Sequence, residues 1–333
     1  MNILLVGVDY KYLNVALGKL STYHKDKGDT VTLKHLKLKG FPSKKFITVD
    51  ASGYDRVYAS NIFEINQDKF EIINCNDISI GGIGSINPDL KLDPKIDSLD
   101  IDYSLFDIDF SYDFITRGCI RNCWFCKVPK HEGYLKKYND LDKIIKHKKI
   151  RFLDNNILAY NKHKEIFREL IDRKLKCEFN QGLDFRLIDE ENAELLSQLN
   201  YWGEYIFAFD DWGYKEALEK KLKIIKRHIS KDWKLKFYIY HNIKFITIKD
   251  TINRVEWCRD NKCLPYIMRD KNCWDADINI KNFITDYCAY ANQPAFFKKM
   301  TFEQFLPIRH TKRKRISSSL EIYLEQFNII KGE

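Results

Sequence analysis

The sequence has no uninterrupted apolar run that approaches the ~20 residues needed to cross a bilayer, so a membrane-spanning protein is not expected. The opening segment MNILLVGVDYKYLNVAL lacks a basic region and an A-x-A-like cleavage site, and it predicts a buried strand, not a signal peptide. Neither G-x-G-x-x-G nor the phosphate-loop pattern G-x4-G-K-[ST] occurs. Their absence argues against the nucleotide-binding folds that use those loops.

A disulfide framework is not expected either. The nine cysteines are an odd number, and the sequence shows no export signal, so we expect free thiols and a cytoplasmic location. Disorder is excluded because 44% of the residues are hydrophobic and 14% are aromatic. A length of 333 residues predicts about two domains.

The chain shows two successive α/β patterns. Residues 1–85 predict a small Rossmann-like parallel domain, and the aspartate-rich residues 86–112 predict an acidic linker. Residues 113–290 predict a partial (β/α)6 barrel of the TIM-like type, in which Asp189 is a predicted helix N-cap. Residues 291–333 predict a helical, basic C-terminal extension. The strand predictions are Asn2–Val8 and Thr30–Leu36 in the first domain, and Asp113–Thr116, Ile150–Asp154, Lys176–Asn180, Tyr205–Phe209, Leu235–Tyr240 and Leu264–Met268 in the second.

Three cysteines follow the first strand of the second domain, in the segment TRGCIRNCWFC. Cys119, Cys123 and Cys126 are spaced x3 and x2, so one short loop can hold one metal centre with three thiolates. Three cysteine ligands leave one iron of a four-iron cluster open to a small molecule, whereas ferredoxin spacing supplies a fourth. A closed zinc site that adds His131 is the alternative, although structural zinc usually staples a small loop-rich unit. The other six cysteines are predicted to be buried thiols: Cys75, Cys177, Cys258, Cys263, Cys273 and Cys288.

This loop resembles the C-x3-C-x2-C loop of the radical S-adenosylmethionine superfamily, including the upstream T-R-G and the aromatic Phe125 before the third cysteine. The resemblance implies that the three cysteines hold a [4Fe–4S] cluster whose open iron binds S-adenosyl-L-methionine. One electron from the cluster would cleave the sulfonium and give methionine and a 5′-deoxyadenosyl radical, which abstracts hydrogen from the substrate. It also implies that Phe125 lies against the adenine and that a flavodoxin- or ferredoxin-like protein supplies the electron.

Polar side chains at the carboxyl ends of the later barrel strands are candidates for contact with cofactor or substrate. Asp154 stands where the superfamily often carries Gly-Gly-Glu, and it could accept from the ammonium of S-adenosylmethionine; Asp210 could hold ribose hydroxyls. The alternative is that such residues only cap helices and make turns. No catalytic residue stands out. The full candidate set is Phe125, Asp154, Asn155, Gln181, Asp184, Arg186 and Asp210.

The N-terminal domain, with GGIGS at residues 81–85, resembles the cobalamin-binding-like domain that precedes many radical S-adenosylmethionine barrels. The pattern D-x-H-x-x-G is missing, and neither His24 nor His35 has its flanking residues. We therefore favour a degenerate or structural domain, with cobalamin binding as the alternative.

The formal charge of +9 raises the question of a nucleic-acid substrate. Lysine and arginine are dense in residues 127–176 and 215–249 and in the run 309–315, and such patches can contact phosphates. A solvated surface is the simpler interpretation. The sequence leaves the substrate open, and a zinc-stabilised nucleic-acid-binding protein without catalysis is the alternative function.

Overall fold

The computed structural model describes residues 1–38, 45–309 and 315–331, with side chains up to residue 327. The chain divides into two compact units. Unit 1 comprises Met1–Asp113, Arg121–Tyr134 and Asn139–Lys149, and unit 2 comprises Phe114–Ile120, Leu135–Tyr138 and Ile150–Glu333. Over the described ranges, no helix is both long and apolar enough to span a membrane.

Unit 1 is a parallel α/β structure. Its main sheet has the strand order β2-β1-β4-β6, and β3 pairs with β5 in a second parallel sheet. Its elements are β1 (Asn2–Val8), α1 (Val15–Asp26), β2 (Thr30–Leu36), β3 (Ile47–Asp50), β4 (Arg56–Asn61), β5 (Phe70–Ile73), β6 (Ile78–Gly81), α2 (Pro94–Asp97), β7 (Ser111–Asp113), α3 (Val128–His131) and α4 (Leu141–Ile144).

The central strand β1 is buried on both faces, which explains its continuous apolar run. Ile3 and Leu5 pack against α1 on one face, while Leu4 and Val6 belong to a second apolar cluster on the other. Helix α1 begins after Asn14, whose side chain accepts a hydrogen bond from the backbone N–H of Leu17. The two strands predicted at Asn2–Val8 and Thr30–Leu36 are confirmed at those bounds.

The acidic segment 86–112, predicted as a linker, belongs to unit 1 and contributes to its core. Ile101 and Phe106 are buried beside the loop that leads into α1. The aspartates pair with lysines of α1: the fully buried Lys19 donates to Asp97, and Lys25 lies 2.6 Å from Asp102. The negative charge of the segment therefore neutralises basic side chains of the same unit.

Unit 2 contains the strands predicted for a barrel and the helices that follow them. Its elements are β8 (Thr116–Arg117), β9 (Lys136–Lys137), β10 (Lys149–Phe152, whose first residue belongs to unit 1), α5 (His163–Asp172), β11 (Lys176–Phe179), α6 (Glu190–Gln198), β12 (Asn200–Tyr201), β13 (Tyr205–Ala208), α7 (Lys215–His228), β14 (Leu235–His241), α8 (Ile248–Asp260), β15 (Leu264–Arg269), α9 (Ile278–Ala291), α10 (Pro294–Phe297), α11 (Phe302–Arg309) and α12 (Arg315–Lys331).

The described strands of unit 2 do not form one continuous hydrogen-bonded sheet. β10, β11 and β12 are neighbours in one sheet, in which β11 and β12 pair parallel, and β13, β14 and β15 form another parallel sheet. A parallel bridge joins Leu183, beyond the end of β11, to Phe207 of β13. The mixed α/β class with parallel sheets is thus observed, whereas the partial barrel is not confirmed. The strand predicted at Asp113–Thr116 is wrong, because Phe114 and Ile115 separate β7 from β8.

The three C-terminal helices pack on the rest of unit 2. Tyr323 of α12 is buried, with its ring centroid 5.9 Å from that of Tyr287 on α9. Asp286 on α9 is fully buried and accepts hydrogen bonds from Arg309 at 2.9 Å and Arg315 at 3.1 Å. The first and last residues of the basic run 309–315 therefore neutralise an internal carboxylate, while residues 310–314 lie outside the described part of the chain.

Candidate functional site

The cysteine loop begins at a short antiparallel strand pair. Strand β8 enters the loop and β9 leaves it, with Thr116 opposite Lys137 and Arg117 opposite Lys136. Gly118 has φ +85°, a left-handed conformation that an L side chain rarely adopts, so the glycine permits the sharp exit from β8. Its buried N–H donates to Asn155 Oδ1 at 3.1 Å. The start of the loop is thus held by a residue that follows β10.

The three loop cysteines differ from most of the others in accessibility. Cys119, Cys123 and Cys126 are half-buried. Burial is complete or nearly complete for Cys177, Cys258, Cys263, Cys273 and Cys288, and it raises the pKa of each thiol. Because a thiolate is the form that binds metal, these five are poor ligands. The prediction for Cys75 is wrong, since this thiol is only half-buried.

Among the described side chains, no set of three or more His, Cys, Asp or Glu residues is arranged to hold a metal ion. The boundary between the two units falls within the loop, so that Cys119 belongs to unit 2, and Cys123 and Cys126 belong to unit 1. His131 is the alternative zinc ligand. Its Nδ1 instead lies 2.8 Å from Oδ1 of Asp89.

Asp154 holds the backbone before the cysteine loop in place. It is buried, and its two carboxylate oxygens accept from the N–H groups of Ile115 (3.1 Å) and Thr116 (2.6 Å) and from the Thr116 hydroxyl (2.6 Å). Loss of solvent outweighs these hydrogen bonds and raises the pKa of Asp154 to about 7. Contacts within the chain thus occupy the oxygens that were expected to meet an ammonium group.

Asn156 is the residue of this strand end that sequence analysis did not select. It is only 3% exposed, and its Nδ2 lies 3.6 Å from Cys119 Sγ and 3.3 Å from Asp184 Oδ2. Its Oδ1 is buried and has no hydrogen-bond partner in the described structure. The signal in the sequence was the doubled asparagine at 155–156, of which only Asn155 was chosen.

Asp184 and Arg186 form an ion pair after β11. Arg186 Nε lies 2.8 Å from Asp184 Oδ1, and the guanidinium lies over the ring of Tyr214 at 5.1 Å. Asp184 also accepts from the backbone N–H of Arg186 and so starts a 3₁₀ turn. Gln181 is exposed. The structure therefore connects two of the three candidates of this segment with Asn156 and Cys119.

Asp210 lies beyond the end of β13. It accepts from the backbone N–H of Tyr240 at 2.9 Å, and burial raises its pKa although the positive charges of Arg254 and Arg186 act in the opposite direction. Arg254 on α8 is fully buried and donates to the carbonyl oxygens of Phe209 and Tyr240 at 2.9 and 3.2 Å. Arg254 fixes the ends of β13 and β14, and sequence analysis did not identify it because it lies within an ordinary amphipathic helix.

Phe125 is half-buried on the cysteine loop, and its ring meets the 60% exposed ring of Trp124 edge-on at 5.4 Å. Arg117 places its guanidinium over the rings of Phe114 and Tyr138, at 4.8 and 5.2 Å. The loop and its base therefore present aromatic and cationic groups together.

The residues of unit 1 do not fit cobalamin at the edge where a ligand would be expected, the carboxyl ends of the parallel strands. A Cβ on Gly82 would lie 2.4 Å from Asn61 O, and one on Gly84 would lie 2.4 Å from Phe63 C. The glycines of GGIGS thus allow close backbone packing. Asn61 donates to Gly84 O at 2.8 Å, and Gln67 donates to Ser85 O at 2.7 Å, so the chain's own amides close this turn.

The chain has a likeness to a solved structure. No family model and no curated protein matches the chain. A solved structure of the cobalamin-dependent S-adenosylmethionine radical enzyme OxsB, with aqua-cobalamin bound, matches with a TM-score of 0.46 and 11% sequence identity. The match covers 95% of this chain and 56% of that one, so the chain spans little more than half the length of that enzyme.

Proposed function

We propose that this chain is a radical S-adenosylmethionine enzyme in which Cys119, Cys123 and Cys126 ligate a [4Fe–4S] cluster. The observation that carries the proposal is the set of three half-buried cysteines at C-x3-C-x2-C spacing, on a loop whose base is held by Asp154 and Asn155. Residues that fix a ligand loop are a regular part of metal sites.

The donor set supports such a cluster. Thiolates are the ligands that iron–sulfur clusters use, and three of them leave one iron open. Asn156 offers an amide N–H toward Cys119 Sγ, and its buried Oδ1 is an acceptor that has no partner among the described residues. A bound cluster would supply one electron for the cleavage of S-adenosylmethionine to methionine and a 5′-deoxyadenosyl radical, which takes hydrogen from the substrate.

The remaining candidates have different roles in this proposal. Asp154 acts as a positioning residue for the loop, because its oxygens are occupied by Ile115 and Thr116. Arg186, whose side chain is 30% exposed, offers guanidinium donors for a carboxylate of cofactor or substrate. Gln181 and Asp210 offer polar contacts from the following strand ends, and Phe125 offers a ring for the adenine.

Anaerobic reconstitution with iron and sulfide tests the cluster. We expect iron, acid-labile sulfide and the broad visible absorption of an iron–sulfur chromophore in the wild-type chain. Cys126→Ala should lose that chromophore. Cys75→Ala is the matched control, since Cys75 is also half-buried but lies outside the loop, and it should keep the chromophore.

Reduction with dithionite in the presence of S-adenosylmethionine tests the reaction. Dithionite replaces the flavodoxin- or ferredoxin-like donor of the proposal, and 5′-deoxyadenosine should accumulate. One bound zinc per chain in place of iron, together with binding of RNA that weakens steeply with salt, would instead support the nucleic-acid-binding alternative.

A further inference from the structure

Asn156 occupies a helix N-cap position but does not act as a cap. An asparagine at this position ordinarily uses its side-chain oxygen to accept a backbone N–H of the first turn. Asn156 precedes the 3₁₀ turn Ile157–Ala159 and makes no such hydrogen bond. Its amide is turned toward Cys119 and Asp184, and its buried Oδ1 has no partner in the described structure. Local rules are typically broken in this way at functional positions.

The two neighbours of Nδ2 explain this orientation. Both Cys119 Sγ, at 3.6 Å, and Asp184 Oδ2, at 3.3 Å, are acceptors. A flipped amide would point its oxygen at the carboxylate of Asp184, and that contact would be repulsive; a thiolate at Cys119 would repel the oxygen as well. Arg186 holds the carboxylate of Asp184 from the other side at 2.8 Å, so the acceptor that directs Asn156 is itself fixed.

We propose that Asn156 is a positioning residue that donates an N–H···S hydrogen bond to the Cys119 thiolate and thereby raises the midpoint potential of the bound cluster. This inference rests on the proposed function. Sulfur ligands carry more negative charge in the reduced cluster than in the oxidised one, so a hydrogen bond to sulfur stabilises the reduced state more. The amide thus makes the electron needed for cofactor cleavage easier to deliver.

Redox titration of the reconstituted protein, followed by electron paramagnetic resonance, tests the proposal. Asn156→Leu keeps the approximate side-chain volume and removes the donor. We expect the equilibrium constant for one-electron reduction to fall about tenfold, which corresponds to a midpoint potential ~59 mV more negative. Asn272→Leu is the control, because Asn272 is also buried and donates to Asn242 Oδ1 at 2.7 Å. Its potential should match that of the wild type.

A wild-type potential in Asn156→Leu, or an equal shift in both variants, overturns the proposal while the cluster itself stands. A wild-type chain that binds no cluster overturns the proposed function as well. If Asn156→Leu does not assemble a cluster, pulsed electron paramagnetic resonance on the reduced wild-type protein, with asparagine labelled at the amide with ¹⁵N, decides the question. A coupling between ¹⁵N and the cluster supports the hydrogen bond, and its absence overturns it.

Discussion

Side-chain amides lie at the carboxyl ends of the parallel strands in both units, but they make different contacts in each. In unit 1, Asn61 and Gln67 donate to carbonyl oxygens of the turn at Gly84 and Ser85. In unit 2, Asn156 directs its amide toward a cysteine of the proposed site and leaves a buried oxygen without a partner within the described residues. The first set of amides closes an edge, while the second leaves an acceptor available.

This difference shows why parallel α/β topology alone does not identify a binding site. Both units place polar side chains after parallel strands, as the general rule predicts. A site also requires groups whose hydrogen-bonding capacity the chain does not use itself, because buried polar groups are otherwise paired. The following experiments challenge the comparison, beginning with the largest expected effect.

Arg254→Met should cause the greatest loss of stability. The variant leaves Asp250 and the carbonyl oxygens of Phe209 and Tyr240 without their buried cation. We expect the free energy of unfolding to fall by roughly 3–5 kcal/mol, the range for breaking a buried ion pair. Urea unfolding followed by circular dichroism measures it. Arg227→Met removes an exposed partner of Glu190 and should leave stability unchanged. Equal effects would show that Arg254 does not hold the strand ends of unit 2.

Gly84→Ala tests whether the glycines of unit 1 serve packing. The new Cβ would lie 2.4 Å from Phe63 C and 2.5 Å from Ile62 C, and backbone atoms cannot move aside easily. We expect a loss of about 3 kcal/mol from overpacking, measured by urea unfolding. Gly53→Ala meets nothing within 4 Å and has φ +81°, so it should cost only the ~1 kcal/mol of a left-handed residue. A mild effect at Gly84 would reopen the question of a ligand role for GGIGS.

Asp154 should make stability depend on pH. Its folded-state pKa of about 7 lies above its ordinary value of 3.8, so the folded chain binds the proton more tightly. The stabilising effect of the proton is complete below the ordinary value and is lost as pH rises through about 7. Urea unfolding at a series of pH values should show this decline, and Asp154→Asn should flatten it. An identical pH profile in the variant would assign the decline to another group, such as Glu256, whose pKa burial also raises to about 7.

Addition of hydroxocobalamin is the last experiment, and we expect no binding. The GGIGS turn is filled by backbone packing and by hydrogen bonds from Asn61 and Gln67. Equilibrium dialysis should recover the free cobalamin quantitatively, and its visible spectrum should not change when the protein is added. Stoichiometric retention would contradict the structural interpretation of unit 1 and make the two edges alike.

Hydrophobic pattern predicted much of the secondary structure. The strands at Asn2–Val8 and Thr30–Leu36 and the N-cap at Asp189 follow from local sequence, because each depends on a continuous pattern or on one side chain. Short elements were missed. Strands β3 and β6 were not predicted, although the equally short β10, β11 and β13 were. The break at Phe114 and Ile115 was missed because it depends on hydrogen bonds to Asp154, which lies 39 residues beyond Ile115.

The candidate site was predicted as residue types but not as roles. The order of the chain places Asp154, Asn155 and Asp184 after strands, and it indicates that they gather near one end of the sheet. The order of the chain does not indicate which of these carboxylates the chain itself uses as a hydrogen-bond acceptor. Asp154 was expected to meet the cofactor and instead holds Thr116, while Asn156 makes the contact with Cys119.

The sequence by itself determined the spacing of the three cysteines and the strands at Asn2–Val8 and Thr30–Leu36. The spacing is covalent, and each of these two strands follows from a continuous local pattern. Only the tertiary structure decided which thiols are buried, which amides close the edge of unit 1, and that the oxygen of Asn156 is left without a partner in the described residues. Burial and hydrogen bonding depend on which distant segments pack around a side chain, and a local sequence pattern does not specify those segments.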